Sequence, residues 1–364
     1  MKSDQKILIA TGGTGGHVFP AYSLAQYFIK KGLNIKITTD KRGFKFLKNY
    51  KNVNLKIINS KTIFKKNPIS IIISFIEIIF AFINSFIFLL KFKPKIVFGM
   101  GGYSSFPVCL AASVLRIPFI IYENNLILGK ANKFLLPFAY KIFVSYLSLE
   151  GIKKKYESKI IETGNIVREE IINFNQKKNN LNGEKINILI LGGSQAAKSF
   201  AEILPKIFEE CLKEKIKLKI YQQCLSSQNN ELDKKYKSLK IEFELFNFSY
   251  NLLHYFSRTD LVITRSGASM LAELLNCKIP FIAIPFPYAA DNHQIKNAKY
   301  FEKKGYSFLI QENEIEKKLF SLIKSIHKDK DLLNQMKEKQ NNHSDKLVFE
   351  KINNIIKELI NEQH

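Results

Sequence analysis

Short apolar runs alternate with amphipathic stretches along this chain. Residues 7–10, 35–38, 95–99 and 119–122 read as strands, and the segments between them carry helical spacing. The first such helix, residues 18–28, ends at Gly32. After a polar stretch at 173–184 the pattern restarts, with strands at 186–191, 217–222, 261–264 and 280–284 and a helix running through Cys211. Alternating strands and helices imply parallel sheets with helices on both faces. The chain is therefore expected to form two doubly wound α/β domains, each opening with a strand and a glycine-rich turn. Ligands of such folds sit at the carboxyl ends of the strands, and two such domains facing each other make a cleft. Residues 346–360 read as one more amphipathic helix.

Residues 69–90 depart from this alternation. They are apolar nearly throughout, with Glu77 the one charge, and long enough to span a bilayer. Asn67 is placed to cap the segment, Pro68 to occupy its first helical position, and Pro94 lies beyond its end. On a helical wheel Ser70, Ser74, Glu77, Ala81, Asn84 and Ser85 fall on one narrow stripe, which a uniform spanning helix does not need. Spanning would also put the residues before and after the segment on opposite sides of a membrane and split a parallel sheet. The segment is expected to be a helix of the first domain with an apolar outer face. Lys61, Lys65 and Lys66 precede it and Lys91, Lys93 and Lys95 follow, the pattern of a helix lying in an anionic membrane surface. An ordinary buried core helix is the alternative.

Composition narrows the partners. The net charge is +24, from 56 Lys and Arg against 32 Asp and Glu, which favours anionic ligands or surfaces. The lysines are scattered in a chain rich in Lys, Ile, Asn and Phe. No run resembles a nucleic-acid arm or RNA-binding signature, so no nucleic-acid partner is expected. Cys109, Cys211, Cys224 and Cys277 show neither Cys-x-x-Cys nor zinc spacing and read as core residues of a reducing compartment. The first apolar run is too short for a signal-peptide core, which points to the cytoplasm.

Candidate chemistry sits at the strand ends. Gly12-Gly13-Thr14-Gly15-Gly16-His17 joins the first strand to the first helix, the layout that aims backbone N–H groups and a helix N-terminus at a phosphate. Asp40, at the end of the next strand, stands where a ribose-binding acid would, so a nicotinamide-dependent oxidoreductase fits this loop too. A second loop, Gly99-Met100-Gly101-Gly102-Tyr103-Ser104-Ser105, again follows a strand and opens a helix. Glu123-Asn124-Asn125 suit sugar hydroxyls or a helix cap. In the second half, Gly192-Gly193-Ser194-Gln195 makes a third phosphate loop, and Arg265-Ser266-Gly267-Ala268 opens a helix for which Ser266 is a natural N-cap. Glu273, about two turns into that helix, is placed to take both hydroxyls of a ribose or to be a solvated surface acid. Asp291-Asn292-His293-Gln294 reads as a sugar-holding cluster or a cap. No metal cluster is apparent; Asp329-Lys330-Asp331 lies in a lysine-rich surface stretch.

These motifs, in this order and over nearly the whole chain, resemble the MurG family of glycosyltransferase family 28. Its members are the UDP-N-acetylglucosamine:lipid I N-acetylglucosaminyltransferases of peptidoglycan synthesis. The resemblance implies the GT-B fold: two Rossmann-like domains, 1–163 and 164–340, with a C-terminal helix at 341–364 crossing back to complete the first. It implies inverting transfer of GlcNAc from UDP-GlcNAc to the 4-hydroxyl of the muramyl residue of lipid I, giving lipid II, at the cytoplasmic face of the inner membrane. By position, Thr14, Gly15 and Gly16 approach the sugar and diphosphate, Asn125 and Gln294 hold the GlcNAc, and Arg168 and Ser194 meet the diphosphate. The backbone near Ser249 reads the uracil, Ala268 belongs to the substrate loop, and Glu273 holds the ribose. His17 is the expected base, with Glu123 the runner-up. No cofactor is required on this reading. The chain departs from the family pattern at Ile166, where Gly-Asn-Pro-Val-Arg has proline, at Ala196 and Lys198, at Tyr122 in place of a common histidine, and at Asn124 in place of a common glutamine. Two rivals share the fold class, a different GT-B lipid glycosyltransferase and a UDP-sugar epimerase. The oxidoreductase reading accounts for neither the loop after Leu191 nor Glu273.

Overall fold

The structure, a computed structural model, describes residues 5–50, 53–58, 60, 68–174, 185–249 and 251–361. The chain divides into two compact units, Met1–Glu169 with Asp345–His364, and Glu170–Ser344. Unit 1 runs β1 (Lys6–Ala10), α1 (Gly15–Lys30), β2 (Asn34–Thr39), α2 (Lys41–Leu47), β3 (Asn54–Ile57), α3 (Pro68–Phe92), β4 (Ile96–Gly99), α4 (Ser105–Val114), β5 (Phe119–Glu123), α5 (Lys130–Leu135), β6 (Lys141–Val144) and β7 (Ile160–Glu162). The short α6 (Glu169–Ile172) begins the passage to unit 2. Unit 2 runs β8 (Lys185–Leu191), α7 (Gly193–Lys213), β9 (Lys217–Gln223), α8 (Asn229–Ser238), β10 (Glu242–Phe246), α9 (Leu253–Phe256), β11 (Leu261–Thr264), α10 (Ala268–Asn276), β12 (Phe281–Ala283), α11 (His293–Lys303), β13 (Phe308–Leu309), α12 (Ile315–Lys328) and α13 (Asp331–Asn341). The chain then returns to unit 1 as α14 (Val348–Asn361).

Both sheets are parallel. Unit 1 has strand order β3-β2-β1-β4-β5-β6-β7 and unit 2 has β10-β9-β8-β11-β12-β13. In each, the order reverses beside the first strand: between β1 and β4, and between β8 and β11. That reversal splays the connecting loops apart and leaves a crevice at the carboxyl ends of the two strands. The three predicted glycine loops leave three of these four strand ends, those of β1, β4 and β8.

Side-chain alternation explains how the strands are covered on both faces. Ile7 and Ile9 of β1 pack with Val18, Leu24 and Phe28 of α1 and with Ile352, Ile356 and Ile360 of α14. Leu8 and Ala10 point the other way, toward Ala81, Leu89 and Phe92 of α3 and Val108 of α4. The buried face of α14 recurs at 352, 356 and 359–360, and each such side chain contributes on the order of 2 kcal/mol of gross burial, which fastens the C-terminus to unit 1.

Two placements differ in detail from the sequence reading. Helix α1 begins inside the glycine loop, at Gly15, so Gly15, Gly16 and His17 form its first turn. Strands β3, β6, β7, β10 and β13 were not anticipated; all but β6 are outer strands of their sheets or carry mixed burial.

Helix α3 is long and apolar enough by composition to cross a bilayer, yet it packs along unit 1. Its narrow stripe faces inward: Ser74, Ala81 and Ser85 are buried, Glu77 is half-buried, and Asn84 stays exposed at the margin. The Ser85 hydroxyl donates back to the Ala81 carbonyl at 2.6 Å, so its burial leaves no polar group unpaired. The outward face is apolar instead: Ile72, Ile73, Phe75, Ile76, Ile79, Phe80, Ile83, Ile87 and Leu90 are exposed. Lys91, Lys93 and Lys95 are exposed at its C-terminal end, whereas Asn67, Lys61, Lys65 and Lys66 lie outside the described residues, as do positions 175–184 of the polar stretch. All four cysteines are buried and unpaired as disulfides.

Candidate functional site

In unit 1 the three predicted motifs meet at the ends of β1, β4 and β5. Thr14 is the N-cap of α1; its carbonyl accepts from the N–H groups of His17 (3.1 Å) and Val18 (3.3 Å). The next loop closes over this turn. Gly102, at φ +79°, lies so near Gly12 that a Cβ there would come within 2.6 Å of the Gly12 carbonyl oxygen. Gly101, at φ +90°, faces the His17 ring, and a Cβ on it would sit 2.7 Å from His17 Nδ1. Both positions need glycine for space and for backbone conformation. Asn124 donates from Nδ2 to the Gly16 carbonyl at 3.3 Å, which ties the end of β5 to the same turn.

Glu123 is 3% exposed and its carboxylate is fully engaged. Oε1 accepts from the Asn125 N–H (3.1 Å) and Asn125 Nδ2 (3.0 Å); Oε2 accepts from the Gly129 N–H (2.9 Å) and Asn132 Nδ2 (3.0 Å). A carboxylate holding four donors is a scaffold for the loop and for Asn125 rather than a group poised to take a proton. Glu123 is the scaffold of this loop, and His17 lies in the first turn of α1.

Asp40 is committed as well. Oδ1 accepts from the N–H groups of Gly43 (2.7 Å) and Gly13 (3.1 Å), and Oδ2 accepts the Arg42 guanidinium through Nε (3.2 Å) and Nη2 (3.1 Å). Burial alone would raise this carboxyl, but the two N–H groups and Arg42 outweigh it and hold it below the usual aspartate value. It caps α2 and staples the first glycine loop. Those bonds leave it no role as a ribose acceptor, which removes the main support for the oxidoreductase alternative.

In unit 2 the candidate residues again gather at carboxyl ends of strands. Ser194 is the second residue of α7, behind Gly193 at φ +68°, and the Gly193 N–H donates to Gln223 Oε1 of β9 at 3.3 Å. Ser249 follows β10, and its hydroxyl accepts from the Asn251 N–H at 3.1 Å. Ala268 opens α10, and Glu273, one and a half turns later, is 7% exposed, so it is not a solvated helix acid. Gln294, in the first turn of α11, accepts from the Phe286 N–H at 2.9 Å through Oε1, which turns its amide nitrogen away from that loop. Arg168 lies half-buried just before α6, in the part of the chain that belongs to unit 1. Ser266 does not cap α10: the N-cap is Gly267, and the buried Ser266 hydroxyl has no hydrogen-bond partner among the described residues. The turn is instead held through its main chain, by Asn297 Nδ2 donating to the Ser266 carbonyl at 3.1 Å.

Arg265 is the organising residue that sequence reasoning left without a role. It is 6% exposed at the end of β11. Nη1 donates to the carbonyls of Ile284 (3.4 Å) and Pro285 (3.2 Å). Nη2 donates to Ser199 of α7 at 2.9 Å and to the Glu312 carboxylate. The guanidinium also lies 4.5 Å from the Phe200 ring centre. One side chain thus fastens the end of β11 to the second turn of α7, the turn after β12 and the loop after β13. Its visible signal is a charged residue at a buried strand end, followed at once by Ser-Gly-Ala. Among the described residues no group of three or more His, Cys, Asp or Glu is gathered as a metal site would require.

The two sheets, with three glycine loops at their reversal points, match known proteins along the whole chain. Residues 7–144 match the glycosyltransferase family 28 N-terminal domain and residues 187–352 the glycosyltransferase family 28 C-terminal domain. The chain belongs to glycosyltransferase family 28, in its MurG line. A relative from Pelagibacter ubique, named UDP-N-acetylglucosamine--N-acetylmuramyl-(pentapeptide) pyrophosphoryl-undecaprenol N-acetylglucosamine transferase, is 40% identical over 315 residues, 86% of this chain and 87% of that protein. One of the same name from Rickettsia canadensis is 36% identical over 313 residues, 85% and 87% of the two chains. The crystal structure of Acinetobacter baumannii MurG shares the fold, with a TM-score of 0.77 at 23% identity over 98% of this chain and 100% of that one. The family membership makes the chain a hexosyltransferase, and the pair of parallel-sheet units is the GT-B fold.

Proposed function

We propose that this chain moves N-acetylglucosamine from UDP-GlcNAc to the 4-hydroxyl of the muramyl residue in lipid I, giving lipid II and UDP. The supporting observation is the seating of His17 against Gly101 in the first turn of α1, beside the Asn124–Gly16 bond that brings the β5 end to the same turn. A base for a hydroxyl and a set of sugar-binding groups are thereby assembled on unit 1. On unit 2, Ser194 and Ala268 lie at the starts of α7 and α10, whose N-terminal dipoles suit a diphosphate, and buried Glu273 suits a ribose. Asn125, held by Glu123, and Gln294, oriented by the Phe286 N–H, hold the GlcNAc; the backbone near Ser249 reads the uracil.

The transfer is a single displacement. The acceptor 4-hydroxyl oxygen attacks the anomeric carbon while His17 takes its proton. The bond from that carbon to the β-phosphate oxygen breaks, and its electron pair leaves with UDP, so the configuration inverts. Arg168, Ser194 and the helix N-termini stabilise the charge that develops on the diphosphate, which leaves no step that calls for a metal.

The acceptor's lipid suits the outward face of α3. A buried polar stripe beneath an exposed apolar face, ending in Lys91, Lys93 and Lys95, is the arrangement of a helix lying in an anionic bilayer surface. Because β1 pairs with β2 before this helix and with β4 after it, spanning would tear one sheet. The enzyme is thus read as peripheral, on the cytoplasmic face of the membrane. Incubation with labelled UDP-GlcNAc and a lipid I analogue tests the function: disaccharide-lipid and UDP should form together, and UDP release without acceptor contradicts it.

A further inference from the structure

The segment that leads out of unit 1, residues 163–168, starts with main-chain bonds from the Thr163 and Gly164 N–H groups to the Val144 carbonyl of β6, and from Asn165 onward is fastened to that unit by side chains. Asp345, where the chain re-enters unit 1, accepts the Asn165 N–H on Oδ1 (2.9 Å) and Asn165 Nδ2 on Oδ2 (3.2 Å). Asn165 Nδ2 also donates to the Tyr146 hydroxyl at 3.0 Å. The next residue is held differently. The Ile166 N–H donates to the Tyr122 hydroxyl at 2.9 Å, and that hydroxyl is shared with Ser145 Oγ at 3.1 Å. Tyr122 and Ile166 are both 3% exposed. Tyr122 is the penultimate residue of β5, directly before Glu123, Asn124 and Asn125. Arg168 lies two residues past Ile166.

We propose that Tyr122 is a positioning residue for donor binding, acting through the Ile166 N–H to hold Arg168 in register with the β5 end. This rests on the reading of Arg168 as a diphosphate contact. A buried N–H must find an acceptor or cost folding energy, and no other acceptor for Ile166 is present among the described residues. The side chain that supplies it sits on the strand whose end carries the sugar-facing amides, so one hydroxyl links the two. The same pair accounts for two departures from the family pattern together. A proline at 166 has no N–H to satisfy, whereas isoleucine has one, and here tyrosine at 122 meets it.

A cycle of four full-length proteins tests this: the parent, Tyr122→Phe, Ile166→Pro and the double variant. UDP affinity is measured by calorimetry, alongside melting temperature. Tyr122→Phe orphans the N–H and should weaken UDP binding about fivefold or more with a lowered melting temperature. In the double variant no N–H is left to satisfy, so UDP affinity should return to within about twofold of Ile166→Pro alone. If Tyr122→Phe fails to fold, that last pair still decides, because without the N–H the hydroxyl, which keeps its Ser145 and Gly164 contacts, should add nothing to UDP affinity. Unchanged UDP affinity in Tyr122→Phe, or losses that simply multiply in the double variant, would overturn the proposal. A parent that does not bind UDP would overturn the nucleotide reading itself, a result distinct from a parent that binds without coupling.

Discussion

The His17 imidazole rests against Gly101, so closely that a single methyl on that glycine would lie 2.7 Å from Nδ1. The two residues come from different glycine loops, after β1 and β4, on either side of the point where the strand order reverses. The second loop thus serves as the floor under the His17 ring. Gly101→Ala adds both the clash and a strained φ of +90°. It should lower kcat by about 10- to 100-fold through displacement of His17. Steady-state kinetics with a lipid I analogue check this; an alanine variant with parental kcat would show that His17 need not sit there.

Glu123→Gln should disturb the sugar end of the site while leaving His17 in place. One amide N–H₂ would then face donors from Asn125 or from Gly129 and Asn132, where all four contacts now reach oxygen. The expected cost is about 2 kcal/mol of stability, with a raised KM for UDP-GlcNAc. The pH dependence of kcat should keep its parental shape, because the proposed proton acceptor is His17. A lost acidic limb in this variant would restore Glu123 as the base.

Asp40 makes a prediction about acid stability. Its carboxyl titrates below the ordinary aspartate value of 3.8, so the unfolded chain binds the proton more readily than the folded one. The stabilisation is therefore present above that value and is lost as pH falls through the lower, folded-state value. Asp40→Asn should lose about 1 kcal/mol at pH 7, because the charge paired with Arg42 is removed while an asparagine oxygen can still cap α2. The gap in melting temperature between parent and variant should shrink below pH 4, read by thermal melts across that range; a constant gap would contradict the assignment.

Arg265→Ala should destabilise unit 2 by about 3 kcal/mol, since it strands the Glu312 carboxylate after β13 and frees the turn after β12 from α7. Arg265→Lys keeps a charge but cannot reach Ser199, Glu312 and two carbonyls at once, and should recover only part of the loss. Chemical denaturation of both variants measures it.

On α3, Phe75 and Phe80 are 59% and 62% exposed and can be changed without opening the core. Phe75→Lys with Phe80→Lys should abolish flotation with vesicles containing anionic lipid, while transfer to a short, water-soluble acceptor stays within about twofold. Unchanged flotation would mean that this face does not meet the bilayer.

How much was legible in the sequence follows physical lines. Strands buried on both faces, such as Ile7 to Ala10 and Leu261 to Thr264, announce themselves as apolar runs. β3, β10 and β13 are half-exposed at their sheets' margins and carry no such run. Glycine loops were legible because close approach and positive φ demand glycine, as at Gly101 and Gly102. What side chains at strand ends bind was not legible. Asp40 looked like a ribose acid, but its partner Gly13 lies 27 residues away. Glu123 looked like a possible base until the fold delivered Gly129 and Asn132 to its second oxygen. Ser266 looked like a cap, and its turn is held by Asn297 instead.

The most direct test compares the parent and His17→Ala in single-turnover transfer from labelled UDP-GlcNAc to a lipid I analogue, with UDP affinity measured on both. Acceptor-dependent transfer in the parent, a fall of about 10²- to 10⁴-fold in the variant, and equal UDP affinity are predicted. Undiminished transfer by His17→Ala, or UDP release by the parent in the absence of acceptor, would contradict the account.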